Sequence, residues 1–285
     1  MIRTVYVNGD YVLETEATVS IFDRGFLFAD AVYEVTAVLN GMLIDNPGHI
    51  ARLERSCKEL GIKMPLSAEQ LTAVQKELIK KNNLQEGGVY LQLTRGNEGD
   101  RDFSYSDDIE PTLVLFTQQR ALINSKPAQQ GIKVLSMDDI RWRRRDIKTT
   151  SLLPACLSKH IAHQAGCDDV WLIEDGFVTE GGSSNAYIVT QENKIITRPL
   201  SNDILHGITR ASLLKLAKDF DIEIEERSFT IEEAYAAKEA FVSSATTFIW
   251  PVISIDGNVI GDGIAGPLAS KLRDIYVKTA IELAE

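Results

Sequence analysis

Residues 139–155 read DIRWRRRDIKTTSLLPA, and the layout of the rest of the chain hangs on this stretch. It continues an apolar run, IKVLSMDDI at 132–140, whose composition predicts a strand. It leads into a helix expected from about Leu153 to Ala165, where Pro154 is tolerable only in the first turn. Lys148 therefore sits between a strand and a helix. The basic run Arg141-Trp142-Arg143-Arg144-Arg145 just before it reads either as a solvated strand edge or as cations near an anionic ligand.

Toward the N-terminus, VYVNGDYVL and EVTAVLNGMLID each carry an Asn-Gly pair, which supplies the positive φ angles of a tight hairpin. Ile50, Leu53, Cys57 and Leu60 follow helical spacing, with Gly61 suited to the left-handed position after a helix end. Ser67 and Gln70 form a capping-box pattern ahead of Leu71, Val74 and Leu78. Two β-rich runs follow, VYLQLTRG and PTLVLFTQQ, and then the polar stretch Arg120 to Gly131, containing Asn124, Ser125, Lys126 and Pro127, which reads as an interdomain linker.

Toward the C-terminus, strands fit VWLIEDGFVTEG, AYIV and KIITRP, with Asp175-Gly176 as a turn. Thr209 opens the amphipathic run Leu213, Leu216, Ala217, Phe220; Thr230 and Glu233 make a second capping box. FVSSATTFIWPVISIDGNVIG returns to β structure, and Leu268, Leu272, Ile275 and Thr279 predict a closing helix. This order is α+β. Two lobes are expected, a smaller one over 1–118 and a larger one over 130–285, joined by a linker at 119–129.

The 285 residues carry a formal net charge of −11, 44% hydrophobic and 25% charged residues. That is ordinary globular composition, and the negative charge argues against general nucleic-acid binding. No stretch approaches the roughly 18 apolar residues of a membrane span, and MIRTVYVNGDYV lacks the apolar core of a signal peptide. No membrane association and a cytoplasmic location are the expectations. Cys57, Cys156 and Cys167 form no CxxC pair and read as reduced thiols. His160 and His163 lack a third ligand, so no metal is expected. Walker, GxGxxG, HExxH and GxSxG motifs are all missing.

What remains is Lys148, Glu180 in VTEGGSSNAYIV, and Gly207-Ile208-Thr209-Arg210 at a helix start. With these in place, FDRGFLFADAVYEV, HIARL, LTRG, DIRWRRRDIKTTSLLPA, VTEGGSSNAYIV, ILHGITR, FVSSATTFIWPV and IDG form an ordered series over nearly the whole chain. The series resembles the fold-type-IV pyridoxal-phosphate enzymes, which comprise D-amino-acid transaminases, branched-chain aminotransferases and aminodeoxychorismate lyases.

The resemblance implies pyridoxal 5'-phosphate as cofactor and assigns roles by matching position. Lys148 matches the Schiff-base lysine, which must be neutral when it attacks the aldehyde. Glu180 matches the carboxylate that keeps the pyridine nitrogen protonated, so that the ring can accept electrons. Ile208 and Thr209 match the helix start that binds the phosphate, and Arg52 matches its arginine partner. Ser244, Ala245 and Thr246 fall in a second phosphate loop, with Ala245 where D-amino-acid transaminases commonly carry a hydroxyl residue. Tyr33 matches the tyrosine beside the Schiff base and the substrate carboxylate. Ser183 and Ser184 match positions near the ring, and Leu205 the apolar side chain packed on it.

For the substrate, the family pattern after TRG is an arginine and, two residues on, a histidine that hold the α-carboxylate. Here the loop reads TRGNEGDRDFSYS. Allowing one inserted residue, Arg101 takes the arginine position and Phe103 replaces the histidine, with Arg24 and Arg95 as alternative carboxylate partners. The wording around Lys148 is nearest to the D-amino-acid transaminases. It implies a ping-pong transfer between a D-amino acid and a 2-oxo acid in a homodimer whose partner loop completes the pocket, the site lying between the two lobes. The alternatives are a branched-chain L-amino-acid or R-amine transaminase, an aminodeoxychorismate lyase, or a catalytically silent dimeric binding protein.

Overall fold

Both Asn-Gly pairs turn the chain as their residue types require. In the computed structural model, which describes residues 2–284, Asn8 and Gly9 take φ of 49° and 111°. They join β1 (Thr4–Val7) to β2 (Asp10–Leu13) with Val7 opposite Asp10. A short helix α1 (Arg24–Phe28) leads into β3 (Ala31–Leu39), which turns at Asn40-Gly41 (φ 53° and 75°) into β4 (Met42–Leu43). Helices α2 (Asn46–Leu60) and α3 (Ala68–Lys81) follow, then β5 (Glu86–Thr94) and β6 (Thr112–Gln119).

Among the described residues these strands make a six-stranded sheet in the order β2-β1-β6-β5-β3-β4, antiparallel throughout. Gly61 ends α2 in the left-handed conformation at φ 63°. Ser67 and Gln70 complete the capping box on α3, each side chain bonded to the other's backbone N–H. The apolar faces of α2 and α3 supply Leu53, Leu71 and Leu78, all fully buried with Val38, Leu91 and Leu115 of the sheet. Each such leucine contributes roughly 1.5–3 kcal/mol by leaving water.

The second run of elements is α4 (Lys126–Gln130), β7 (Ile132–Asp138), α5 (Leu153–Gln164), β8 (Asp169–Glu174), β9 (Phe177–Gly181), β10 (Asn185–Val189) and β11 (Ile195–Thr197). It continues with α6 (Ile208–Asp219), β12 (Ile224–Glu226), α7 (Ile231–Tyr235), β13 (Glu239–Ser244), β14 (Phe248–Ile255), β15 (Asn258–Val259) and α8 (Pro267–Glu282). Its sheet runs β12-β11-β10-β13-β14-β7-β8-β9, with β15 on β14. Parallel pairs β11·β12, β14·β7 and β7·β8 sit among antiparallel ones. Trp171, Phe229, Val242 and Ile255 are fully buried in its core. The mixture is α+β, as the order of elements predicts.

The chain forms two compact units. One takes the residues up to Ala121 with Ile147–Ser151 and the last few residues of the chain, and the other takes Leu122–Asp146 and Leu152–Glu282. The polar stretch read as a linker holds α4, with Ala128 and Leu122 buried. Its backbone is held too, since Arg273 of α8 donates to the carbonyls of Leu122 (2.5 Å) and Ile123 (3.0 Å). The basic run Arg141–Arg145 is irregular backbone rather than a strand edge. Trp142 and Arg143 face solvent, whereas Arg145 is buried and bidentate to Glu174 at 2.7 and 3.0 Å. Carboxylates elsewhere in the unit thus hold part of the run, while Trp142 and Arg143 keep the solvated face.

Inside the first unit, Glu34 lies on the buried face of β3, and α2 answers it. Arg52 donates through Nε and Nη2 to its two oxygens at 2.7 and 2.8 Å, and His49 Nδ1 lies 2.7 Å from Oε2. Burial alone would raise the Glu34 carboxyl, but the charge and hydrogen bonds of Arg52, with those of His49, hold it down to about 2. A depressed carboxyl contributes stability that is complete above its unfolded value of 4.5 and is lost as pH falls toward the folded value. Replacing Glu34 with Ala strands a buried guanidinium and lowers the unfolding free energy at pH 7 by about 3–5 kcal/mol. In urea denaturation across pH, the gap between this variant and the parent is expected to narrow from pH 4.5 toward pH 2.

Candidate active site

Strand alternation places Glu34 and Tyr33 on opposite faces of β3. On the Tyr33 face the backbone of the Lys148 segment is laid alongside the strand. Tyr33 N–H donates to the Lys148 carbonyl at 3.0 Å, Thr150 N–H to the Ala31 carbonyl at 3.0 Å, and Val32 and Thr149 form a bridge. Lys148 N–H points to Ser56 Oγ of α2 at 3.4 Å. The half-buried Lys148 side chain brings Nζ within 4.1 Å of the Tyr33 ring centroid. Tyr33 in turn stacks on Tyr90 of β5, with centroids 5.7 Å apart. Thus the lysine, the tyrosine and Arg52 are set by one strand and one helix of the first unit.

The second unit holds Glu180, buried near the end of β9. Oε1 accepts from Arg141 Nη1 at 2.6 Å, and Oε2 accepts from Asn185 Nδ2 at 3.0 Å and Leu205 N–H at 3.1 Å. Burial is the largest influence and leaves the Glu180 carboxyl above its ordinary value, against the charge and hydrogen bond of Arg141 and the Leu205 N–H, which pull it down. All three partners are donors, an arrangement that suits the ionised carboxylate. Arg141 is shared, because its Nε and Nη2 hold Asp139 at 2.9 and 2.7 Å. Asp139 takes a further bond from Thr179 Oγ1 at 2.7 Å.

Asn185 also donates to the Leu205 carbonyl at 3.0 Å, so Glu180 and the segment before α6 are tied to one amide. Gly207, the N-cap of α6, completes the fit: a Cβ there would lie 2.1 Å from Asn185 Oδ1. No side chain caps this helix end. Thr209 in its first turn is buried, and its Oγ1 has no hydrogen-bond partner among the described residues. Uncapped N–H groups, the helix dipole and an orphan hydroxyl together suit an anion. Ser184 Oγ is likewise buried without a partner, whereas Ser183 is exposed and accepts from Lys159 at 2.8 Å. Ser244 bonds Thr247 Oγ1 across the turn between β13 and β14, and Ala245 and Thr246 lie half-buried in that turn.

Of the three arginines considered for a substrate carboxylate, two are already engaged. Arg24 and Arg95 share Asp30 Oδ2 at 2.9 and 2.7 Å, and their remaining nitrogens donate to backbone carbonyls. Arg101 is exposed and makes no ion pair among the described residues, with its guanidinium 5.0 Å from the ring centroids of both Phe28 and Phe103. Phe103 is 75% exposed. This loop borders a cavity of about 260 Å³ lined in part by Arg24, Phe28, Arg101 and Tyr105. Sequence reasoning passed over Glu34 and Asn185 and took Arg141 only as part of the basic run, although all three stand inside quoted motifs. The signal for Glu34 was an acid at an inward position of β3. Arg141 and Asn185 carry no such local mark.

Residues 31–255 match the amino-transferase class IV family. The D-alanine aminotransferase of Bacillus licheniformis is 40% identical over 271 residues, spanning 94% of each chain. That of Staphylococcus aureus (strain N315) is 36% identical over 278 residues, 96% of each. Among solved structures, the T.th. branched-chain amino acid aminotransferase with pyridoxamine 5'-phosphate superposes with a TM-score of 0.90 at 24% identity, over 98% of this chain and 94% of that one. A lysine laid against a strand tyrosine, a buried carboxylate fixed by three donors and an uncapped helix start thus occur in a chain that belongs to the amino-transferase class IV family.

Proposed function

We propose that this aminotransferase moves the amino group of a D-amino acid, such as D-alanine or D-glutamate, to a 2-oxo acid, using pyridoxal 5'-phosphate. The observation that carries the substrate is the 40% identity to a D-alanine aminotransferase over 94% of both chains. The fit of the cofactor is supported by the uncapped start of α6 with its orphan Thr209 hydroxyl.

Pyridoxal phosphate, when bound, supplies an aldehyde that condenses with amines and a pyridine ring that draws electrons from the bond being broken. Lys148 would hold the aldehyde carbon through its amine, with Tyr33 beside it. Glu180 would accept a hydrogen bond from the protonated ring nitrogen, with Arg141 and Asn185 orienting that carboxylate. Ile208 and Thr209 would take the phosphate with backbone N–H groups and the free hydroxyl. Arg52, the Ser244–Thr246 turn, Ser183, Ser184 and Leu205 complete the cofactor set.

Once freed by the donor's amino group, the Lys148 amine would take the proton from the donor's Cα as general base and give one back as general acid. Water would supply the carbonyl oxygen of the departing oxo acid while the amino group stays on the cofactor until a second oxo acid takes it up, an order that is ping-pong. Arg101 is the cation left to meet the α-carboxylate, with Phe103 in place of a second polar partner. The reading includes a homodimer, supported by the exposed Ile21, Phe22 and Phe26 on one short segment, since contiguous exposed apolar patches often mark interaction sites. It also includes a cytoplasmic location; no helix among the described residues is long and apolar enough to cross a membrane.

A donor panel of D-alanine, D-glutamate, L-leucine and an R-amine, each with a 2-oxo acid, should show turnover of the D-amino acids. Turnover of L-leucine alone would overturn the substrate. Lys148→Ala should remove the cofactor absorbance band and cut turnover by at least about 10³-fold, with the thermal unfolding profile nearly unchanged. Glu180→Gln should keep the cofactor yet lower kcat by about 10²–10³-fold. Thr209→Val should weaken pyridoxal phosphate binding about tenfold and leave binding of unphosphorylated pyridoxal unaltered, as read by fluorescence titration of the apoenzyme.

A further inference from the structure

Arg24 is buried, yet its guanidinium reaches the exposed loop between β5 and β6. Nη1 donates to the carbonyls of Asp102 at 2.8 Å and Ser104 at 3.3 Å, and Nη2 donates to the carbonyl of Phe103 at 3.3 Å. Nε holds Asp30 at 2.9 Å. Two aromatic rings also border the group, with centroids 4.7 Å (Phe28) and 4.8 Å (Tyr105) from the guanidinium carbon. Arg95 shares Asp30 and lies 3.9 Å from the Tyr105 ring. The base of the loop is pinned as well: Arg24 N–H donates to the Gly96 carbonyl at 2.8 Å, and Asp23 takes a bond from Thr94 Oγ1 at 2.9 Å.

These contacts fix three consecutive carbonyls, those of residues 102 to 104, immediately after Arg101. The Arg101 guanidinium is left outward against Phe28 and Phe103, with no carboxylate partner among the described residues although Glu98, Asp100 and Asp102 are its near neighbours in sequence. Each of the three Arg24 nitrogens is already engaged, by Asp30 or by a loop carbonyl. We propose that Arg24 is a positioning residue that sets the stance of Arg101 and Phe103, and through them the enzyme's hold on the α-carboxylate of its amino-acid substrate. This rests on the reading of Arg101 as the carboxylate partner. A lysine cannot replace Arg24 in this role, because a single ammonium on a flexible stem cannot bridge three carbonyls and Asp30 while lying flat between two rings.

The test is a double-mutant cycle of Arg24→Lys and Arg101→Ala on the holoenzyme, with whichever α-amino acid the parent turns over, D or L, as donor. Failure of the D-amino-acid reading then shows in the choice of donor and leaves the cycle intact. Arg24→Lys is expected to raise the donor KM about tenfold, the loss of charge-assisted hydrogen bonds, with kcat and pyridoxal phosphate affinity nearly unchanged. Amide hydrogen exchange should rise over residues 97–108 alone. In the Arg101→Ala background the same change should have little further effect on KM.

Tyr105→Leu removes a ring shared by both guanidiniums and should act in the same direction if Arg24→Lys folds poorly. Independent, additive effects of Arg24→Lys and Arg101→Ala would overturn the proposal. So would an unchanged KM with raised loop exchange, or an unchanged KM in Arg101→Ala.

Discussion

Adjacent side chains on a strand must point to opposite faces, and in β3 that constraint puts Glu34 into the core and Tyr33 on the far side. The acid cannot be left alone in an apolar layer, so α2 has to present Arg52 and His49 to it, one turn apart. That match fixes the rotation of α2 on the sheet. Ser56 of the same helix then lies where it meets the backbone of Lys148, and Tyr33 receives the Lys148 carbonyl on its N–H. Lys148 is therefore placed by a chain of contacts that begins with a buried charge elsewhere in the unit.

Glu180 in the second unit shows a different solution to the same problem. Its cation is shared, since Arg141 spends two nitrogens on Asp139 and one on Glu180. A guanidinium given wholly to Glu180 would satisfy the carboxylate and blunt its attraction for a third party. Divided between two acids, it puts one donor on Glu180 Oε1 and leaves Oε2 to Asn185 and the Leu205 N–H, so the carboxylate's charge is only partly matched. Asn185 adds orientation without adding charge.

Local physics made much of this legible in the sequence. The Asn-Gly turns, the Ser67 and Thr230 capping boxes and the Gly61 helix end depend only on neighbouring residues, and each appears where its chemistry requires. Lys148, Glu180 and Thr209 stood out through an ordered series of motifs rather than through any local mark. The partners of these residues were harder to read. Arg141 meets Glu180 from 39 positions away and Arg24 meets Phe103 from 79, distances over which no periodicity carries information. The same holds for the stretch after β6, read as an interdomain linker from its polar composition, where nothing local foretold that Arg273 would bond its carbonyls.

The segment from Ile147 to Ser151 has a second consequence, quite apart from catalysis. In the six-stranded sheet, β3 is flanked on its outer side only by the two residues of β4, which pair with Val38 and Leu39. The N-terminal half of β3 would expose a row of unpaired amides and carbonyls, a template for sheet growth between molecules. Backbone contacts from Lys148, Thr149 and Thr150 cover that row. A fragment ending near Ala121 would lose the cover along with the lysine, so Lys148 also belongs to the strip that covers the open edge of β3.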